Sequence, residues 1–332
     1  MHKLLVTGSA GHLGEALMRT LRAAGQSVVG TDLRASPFTD LVGSIVDRDH
    51  VHRCLEGVDA VLHTATLHKP HVATHSRQAF VDTNITGTLN LLEEATLAGV
   101  KAFIFTSTTS TFGDALTPAP GAPAAWITEE VAPVPKNIYG VTKVAAENLC
   151  ELFHRNQGLP CLILRTARFF PEPDDSAAVR AHYSDANAKA NEYLYRRVDI
   201  ADIVSAHLLA VEKATTLGFG RYIISATTPF TQHDLAQLRA DAPAMVKRLF
   251  PMFADIYAQH GWQMFPSIDR VYVNAQARQA LGWQPRYDFA ALLTMLANGQ
   301  RDLRSPLAQQ VGIKGYHGPE FVDGVYPVDE QR

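Results

Sequence analysis

The chain has 332 residues, of which 46% are hydrophobic, and a formal net charge of −3 at pH 7. This size and composition predict a globular protein with a substantial core, built as one large or two unequal domains. The sequence contains no basic stripe and no apolar run of about 18 residues, which disfavours nucleic acid, a membrane span and a signal peptide. Three cysteines without metal-binding spacing, Cys54, Cys150 and Cys161, indicate reduced thiols in the core of a cytoplasmic protein.

An apolar run near the amino terminus leads directly into three glycines, Gly8, Gly11 and Gly14. Their spacing is typical of the turn between a buried strand and a helix that binds the pyrophosphate of a dinucleotide. Gly8 permits the tight bend, Gly11 lets the backbone approach the phosphates, and Gly14 lets the helix pack on the strand. Because the helix is expected to begin near His12, the backbone N–H groups of His12 and Leu13 are also assigned to the phosphates.

A second apolar run ends at Asp32, at the distance where an acidic residue receives the adenosine ribose hydroxyls. A carboxylate there hydrogen-bonds to a free 2′-hydroxyl and repels a 2′-phosphate, so the sequence predicts NAD as the cofactor. Arg34, two residues further on, leaves NADP open as an alternative, because its guanidinium can bind a 2′-phosphate.

Apolar runs alternate with amphipathic stretches along the first half of the chain. Helices are expected over 84–97, 141–153 and 203–214, and strands over 3–7, 27–31, 59–63, 101–107 and 160–165. The alternation predicts an α/β fold, a Rossmann-type doubly wound parallel sheet with helices on both faces. Residues 1–166 are expected to form the NAD-binding domain. Residues 167–332 are expected to form a smaller C-terminal substrate-binding lobe over the crevice at the strand ends, with some later segments returning to the sheet.

Tyr139 and Lys143 are four residues apart at the start of a predicted helix, which places the phenol and the ammonium on one face. A lysine cation and an oxidised nicotinamide stabilise a phenolate, so we expect the pKa of Tyr139 to be lowered from its usual value of about 10. The pair then supplies an acid/base group for a hydroxyl or carbonyl. A third partner is expected among the hydroxyl side chains of residues 106–111, at the end of a strand.

These motifs, in this order, resemble the extended short-chain dehydrogenases/reductases of the NAD-dependent epimerase/dehydratase type over residues 1–290. The shared pattern is the TGxxGxxG turn at 7–14 and a catalytic Ser or Thr, Tyr and Lys. Counted back from Gly113, the resemblance places the catalytic hydroxyl on Thr108. It implies a homodimer paired through the helices at 88–98 and 140–155. It also implies a set of further cofactor-site residues, namely Thr64, Ala65, Asn84, Tyr139 and Lys143.

Arg168 stands where family members that bind nucleotide sugars commonly carry an asparagine, which disfavours a diphosphonucleoside substrate. The segment from Arg168 to Pro173 resembles uronate dehydrogenases, which oxidise a free sugar acid. Arg168 and Arg180 are therefore candidates for binding a substrate carboxylate or phosphate. The alternative is that they pair with nearby carboxylates, at Asp174, Asp175 and Asp185.

Three histidines, His68, His71 and His75, lie within eight residues of one another. Pro70 argues against one regular helix that carries all three, and the resemblance places this segment beside the nicotinamide and the substrate. No metal is therefore predicted. His68 and Thr109 are instead assigned to the substrate.

The sequence predicts an NAD-dependent oxidoreductase that acts on a secondary hydroxyl of a sugar or nucleotide sugar, as an epimerase or a dehydrogenase. In this prediction Tyr139 removes the proton, Thr108 orients the oxygen, and Lys143 holds the nicotinamide ribose. Dehydration is disfavoured because Thr109 and Ser110 stand where dehydratases of the family carry acidic residues. Two alternatives stay open, a reductase of a non-sugar carbonyl and a non-catalytic NAD-binding sensor.

Overall fold

A computed structural model of the chain describes residues 3–314. The strands are β1 Lys3–Thr7, β2 Ser27–Asp32, β3 Leu41–Val42, β4 Ala60–His63, β5 Ala102–Thr108, β6 Ala125–Ile127, β7 Cys161–Thr166, β8 Phe219–Ile224 and β9 Arg270–Tyr272. The helices are α1 His12–Ala23, α2 Arg48–Cys54, α3 Arg77–Phe80, α4 Gly87–Leu97, α5 Ile138–Gln157, α6 Ala177–His182, α7 Asp185–Glu192, α8 Ile200–Leu217, α9 Leu235–Ala240, α10 Ala242–Leu249, α11 Phe253–His260, α12 Ala275–Leu281, α13 Phe289–Ala297 and α14 Pro306–Val311. Short 3₁₀ segments lie at Lys69–Ala73, Thr109–Phe112, Asp114–Leu116 and Gln232–Asp234.

Seven strands form one parallel sheet in the order β3-β2-β1-β4-β5-β7-β8, and β6 pairs separately with β9. The winding direction reverses between β1 and β4, where Thr7 is paired with His63. Ligands of such sheets bind beyond the carboxyl ends of the strands at this switch point. The predicted α/β fold, a Rossmann-type doubly wound parallel sheet, is confirmed.

The core follows from the alternation of side chains along each buried strand. In β1, Leu4 and Val6 pack on one face of the sheet with α1 and α8. Leu5, between them, packs on the other face with α4 and α5. A third apolar cluster lies in the lobe and includes Met245, Tyr257 and Phe289.

The amino-terminal end of α5 differs from the helix predicted over 141–153. The helix begins at Ile138, because the Asn137 side chain caps it by accepting a hydrogen bond from the Gly140 N–H at 3.1 Å. This capping places Tyr139 inside the first turn of the helix.

The chain returns to the sheet after leaving it at the end of β7. Strand β8 pairs in parallel with β7, with Thr166 opposite Ile224, and α8 packs on the same sheet. The lobe is built mainly from α7, α9, α10, α11 and α13 together with the β6 and β9 pair. The domain boundary at residue 166 stays a prediction.

None of the helices described between residues 3 and 314 is long and apolar enough to cross a membrane. Cys54, Cys150 and Cys161 are buried and free of disulfides.

Candidate active site

A cleft of about 1250 Å³ lies at the carboxyl ends of the central strands. Its walls include most of the residues predicted from the sequence: Gly8, Gly11, His12, Leu13, Gly14, Asp32, Thr64, Ala65, His68, Thr108, Thr109, Tyr139 and Arg168. Lys143 and Asn84 are buried directly behind it. Arg180 lies further out on α6 and donates a hydrogen bond to the Asp174 carbonyl at 2.6 Å.

The glycine turn between β1 and α1 is closely fitted to its surroundings. Gly8 has φ +73°, and its N–H donates to the Thr31 carbonyl at 2.8 Å. A Cβ added to Gly14 would lie 1.9 Å from the Gly8 carbonyl oxygen. Helix α1 begins at His12 without a side-chain cap, so the first backbone N–H groups of the helix face the cleft and suit a phosphate.

We expect Gly8→Ala to weaken NAD binding by more than tenfold and to lower stability by about 3 kcal/mol or more. A Cβ at Gly8 would lie 2.8 Å from the Ala65 nitrogen, in addition to the strain of the positive φ. Gly25 is the matched control, since it has φ +68° and no atom within 4 Å of an added Cβ. Gly25→Ala should cost about 1 kcal/mol and leave NAD binding unchanged. Calorimetric NAD titration and thermal melts measure both effects, and equal effects of the two variants would contradict the packing argument.

Asp32 ties the glycine turn to the end of β2. Its Oδ2 accepts a hydrogen bond from the Ala10 N–H at 3.0 Å, and its Oδ1 accepts one from the Arg34 N–H at 2.9 Å. The Arg34 side chain is exposed at the edge of the cleft. The carboxylate is therefore oriented by two backbone donors, as a residue that binds ribose hydroxyls requires.

The loop after β4 is held against the glycine turn by Thr7. The Thr64 hydroxyl donates to the Thr7 carbonyl at 2.7 Å, and the N–H groups of Thr64 and Ala65 both donate to the Thr7 hydroxyl at 3.2 Å. The same hydroxyl lies 2.7 Å from Nδ1 of the buried His63. This network fixes the backbone of Thr64 and Ala65 at the wall of the cleft.

Asn84 lies in a π-helical turn, Val81–Thr86, that precedes α4. Its amide nitrogen donates to the Leu67 carbonyl at 2.9 Å and to the Thr142 hydroxyl at 3.0 Å. Its amide oxygen accepts from Thr66 and from the Leu67 N–H, both at 2.9 Å. Asn84 thus joins the loop after β4 to α5. A cofactor contact of its own stays a prediction.

Tyr139 and Thr108 both line the cleft, each only 8% exposed, and Thr108 lies close enough to the Tyr139 phenol to act as a hydrogen-bond partner. Burial raises the pKa of Tyr139 to about 12, and the Thr108 hydrogen bond offsets only part of this effect. The structure therefore differs from the expected lowering of this pKa, because removal of water disfavours the phenolate more than its neighbours stabilise it. In this state Tyr139 is a neutral proton donor.

Lys143 lies one turn further along α5 and is 2% exposed. Its ammonium donates to the Thr106 carbonyl at 2.6 Å and lies 4.0 Å from the centre of the Phe105 ring. Burial lowers the pKa of Lys143 to about 7, against the opposing effect of the Glu147 carboxylate. The charge of this lysine is therefore finely balanced near neutral pH.

We expect one lysine amine of the protein to titrate near pH 7 in a nitrogen-15 NMR titration, and this signal to be missing in Lys143→Met. Glu147→Gln removes a negative neighbour that favours the ammonium, so the pKa should fall by about one unit. Glu212→Gln, an exposed change on α8, should leave the pKa unchanged. If every lysine titrated above pH 9, burial would not lower the pKa of Lys143 as we expect.

Sequence reasoning missed Glu147, which is the centre of a buried ionic network behind Lys143. Ser107, beside Thr108, donates to Glu147 at 2.5 Å, and the Arg165 guanidinium donates to both carboxylate oxygens, the shorter bond at 2.7 Å. Glu147 and Arg165 are 1% and 3% exposed. The signal was present in the sequence, because Glu147 lies four residues after Lys143 on the same helix face.

Both predicted substrate-binding arginines already have partners within the chain, carboxylates for Arg168 and a backbone carbonyl for Arg180. The Arg168 guanidinium donates to Asp174 and to Asp175, both at 2.9 Å. Asp175 also accepts a hydrogen bond from Lys69 at 2.6 Å, and although burial opposes the shift, Arg168 and Lys69 together hold its pKa well below the usual range. Substrate binding by Arg168 and Arg180 stays a prediction.

The histidines stack with aromatic residues at the wall of the cleft. The His68 ring stacks on Phe170 with centres 5.3 Å apart, and it meets the His71 ring edge-on at 4.4 Å. His12 lies 3.5 Å from the Glu172 carboxylate. Across the described residues 3–314, no group of three or more His, Cys, Asp and Glu side chains is arranged to hold a metal. The expectation that the chain has no metal stays a prediction.

The model of the "NAD dependent epimerase/dehydratase family" matches residues 4–224 of the sequence. This chain belongs to that family. As a member of the epimerase/dehydratase family it is an NAD-dependent enzyme of the extended short-chain dehydrogenase/reductase type, and the predicted cofactor, NAD, is confirmed.

Relatives within the epimerase/dehydratase family act on different substrates. A UDP-glucose 4-epimerase of Rhizobium meliloti is 27% identical, covering 88% of this chain and 94% of that protein. A 3 beta-hydroxysteroid dehydrogenase/Delta 5→4-isomerase of Mycobacterium tuberculosis is 25% identical, covering 88% of each. A uronate dehydrogenase of Pseudomonas syringae pv. tomato is 28% identical, covering 52% of this chain and 62% of that protein. The family therefore fixes the cofactor more closely than the substrate.

The fold also has a solved counterpart. The crystal structure of a short-chain dehydrogenase/reductase superfamily protein from Agrobacterium tumefaciens with bound NAD has a TM-score of 0.62 and 24% identity, covering 93% of this chain and 99% of that one. In our structure Gly8 and Gly14 leave a space at the glycine turn that a Cβ atom at either position would fill. This space and the oriented Asp32 carboxylate fit the phosphates and the ribose of NAD.

Proposed function

We propose that this enzyme oxidises a secondary hydroxyl of a sugar or sugar derivative, as a dehydrogenase or an epimerase. The observation that carries the proposal is that Thr108 and Tyr139 line one cleft while Lys143 lies buried behind them, one turn further along α5 from Tyr139. When bound, NAD supplies the hydride acceptor. The roles of the three side chains are therefore those of proton transfer and orientation.

Thr108 and Tyr139 together bind the reacting oxygen. Because both hydroxyls line the same cleft, a substrate oxygen placed between them is held by both at once. Tyr139 takes the hydroxyl proton during oxidation and returns it when a carbonyl is reduced. Oxidation therefore starts from the Tyr139 phenolate, which Lys143 in its charged form stabilises, and leaves Tyr139 neutral, whereas reduction starts from neutral Tyr139 and leaves the phenolate.

The polarity of the cleft supports a hydrophilic substrate. The walls of the cleft also carry Arg168, Arg196, Asp174 and Arg270, which suit hydroxyl and anionic groups and would be costly to cover with an apolar molecule. The second candidate is a dehydrogenase of a non-sugar alcohol, for which the steroid-specific relative and the stacked Phe169 and Phe170, 4.3 Å apart, are the supporting observations.

The homodimer and the cytoplasmic location belong to this proposal. Helices α4 and α5, which the family resemblance implies as the dimer surface, carry exposed apolar side chains, with Leu97 74% and Val141 48% exposed. Light scattering on the purified protein at several concentrations tests the dimer, and a monomer throughout would contradict it.

The proposed function is tested with purified protein, NAD and a panel of hexoses, uronic acids, sugar phosphates, nucleotide sugars and hydroxysteroids. Growth of NADH absorbance with a sugar shows a dehydrogenase, and an isomerised sugar without net NADH shows an epimerase. Turnover of hydroxysteroids alone favours the second candidate. Binding of NAD without any turnover favours a sensor and contradicts the proposal.

A further inference from the structure

Two arginines that take no part in the proposed proton transfer, Arg196 and Arg270, line the same cleft. Arg196 follows α7, and Arg270 begins β9. The centre of each guanidinium lies near the Tyr195 ring, at 5.5 Å for Arg196 and 5.9 Å for Arg270. The Tyr272 N–H donates to the Tyr195 carbonyl at 3.0 Å, so the two segments that carry the arginines are joined by their backbones.

Both guanidinium groups have N–H donors that make no hydrogen bond within the described residues. Arg196 bonds through Nη2 to Glu192 at 2.6 Å and to Asp174 at 3.2 Å, and Arg270 bonds through Nη1 to Asp269 at 3.0 Å. The Nε–H groups of both arginines are buried, and among residues 3–314 neither has a hydrogen-bond acceptor. Nη1 of Arg196 and Nη2 of Arg270 also make no hydrogen bond among these residues and, unlike the Nε groups, are not buried. Each arginine therefore keeps a donor that an anion in the cleft can reach.

The charges around the pair also leave room for an anion. The cations joined or adjacent here are Lys69, Arg168, Arg196, Arg197 and Arg270. The carboxylates that face them are Asp174, Asp175, Glu192 and Asp269, and Glu172 also lies near Arg168 and Arg197. The neighbouring Lys189 is paired with Asp185. Arg270 has only a partly exposed carboxylate, Asp269 at 34%, beside it.

We propose that Arg196 and Arg270 bind an anionic group of the substrate, a carboxylate or a phosphate monoester. This inference rests on the proposed function and narrows its substrate class to sugar acids or sugar phosphates. Guanidinium groups bind both anions through paired N–H donors. An anion held at the two arginines would place the rest of a small substrate within the same cleft as Thr108 and Tyr139.

The test is calorimetric binding of glucose, glucuronate and glucose 6-phosphate to the NAD-loaded protein. We expect at least one of the two anionic probes to bind more than tenfold more tightly than glucose, and whichever binds more tightly identifies the anion as a carboxylate or a phosphate. Arg270→Gln should lose at least tenfold of that affinity and leave glucose binding unchanged. Arg304→Gln, which removes an arginine paired with Asp302, is the matched control and should change neither.

Equal binding of all three probes by the native enzyme would overturn the proposal, and so would an unchanged preference in Arg270→Gln. Arg270→Lys keeps the charge and should retain part of the preference, which separates anion binding from a merely structural role. Loss of the preference in Arg168→Gln but not in Arg270→Gln would assign the anion to Arg168 instead. A clear preference in binding without NADH formation from any sugar would contradict the proposed function while leaving the anion site intact.

Discussion

Tyr139→Phe is expected to lower kcat by about a thousandfold while NAD binding and thermal stability stay close to native values. The substitution removes one oxygen atom, and general acid–base catalysis by a positioned side chain contributes about 10²- to 10⁴-fold. Packing changes little, because Phe fills nearly the same volume as Tyr at this buried position, 8% exposed.

Steady-state kinetics with the best substrate from the panel, together with NAD titration, measure this effect. Tyr222→Phe is the matched control, since Tyr222 packs in the apolar cluster beneath the sheet and its loss of a hydroxyl should leave kcat within about twofold. A Tyr139→Phe enzyme with more than about a tenth of native kcat would show that another group transfers the proton.

Glu147→Ala is expected to lower the free energy of unfolding by about 3–5 kcal/mol, because it leaves Arg165 buried without its counter-ion. Arg165 is 3% exposed, and its Nη1 already has no acceptor among the described residues. The Ser107 hydroxyl would lose its acceptor as well. Since Ser107 adjoins Thr108, we expect catalysis to weaken along with stability.

Glu151→Ala is the control for this prediction, since Glu151 lies one turn further along α5 and pairs with Arg221 at the surface, where the two side chains are 36% and 25% exposed. Exposed pairs contribute about 0–1 kcal/mol. Urea denaturation of both variants gives the comparison. A similar loss of stability in the two would show that burial does not set the strength of the Glu147 network.

The parts of this enzyme that could be predicted from sequence depend on short-range patterns. The glycine spacing from Gly8 to Gly14, the short apolar runs of the strands, and the interval between Tyr139 and Lys143 are each contained within about one turn or one strand. Such patterns restrict the local backbone directly. They led to the fold class, the cofactor and the family before any contact was known.

The parts that could not be predicted depend on residues far apart in the chain. Arg196 and Arg270 come together only because Tyr195 and β9 are joined by backbone hydrogen bonds. Arg168 could either bind the substrate or pair with Asp174, and the separation of the two residues in the sequence does not decide between these possibilities. The π-helical turn that contains Asn84 could not be predicted from the sequence. It differs from a regular helical turn by one additional residue, and no residue type marks that difference.

The return of the chain to the sheet through α8 and β8 limits where this enzyme can be divided into fragments or recombined with a relative. A fragment that ended at residue 166 would expose β7 as an edge strand, since β8 pairs with it along its full length, and such edges promote aggregation. The lobe core draws on chain segments as distant as Ala124 and Leu296. Grafting the substrate preference of a relative onto this scaffold would therefore require several separate replacements, with the crossovers kept out of α8 and β8, and a single exchange at one junction would fail.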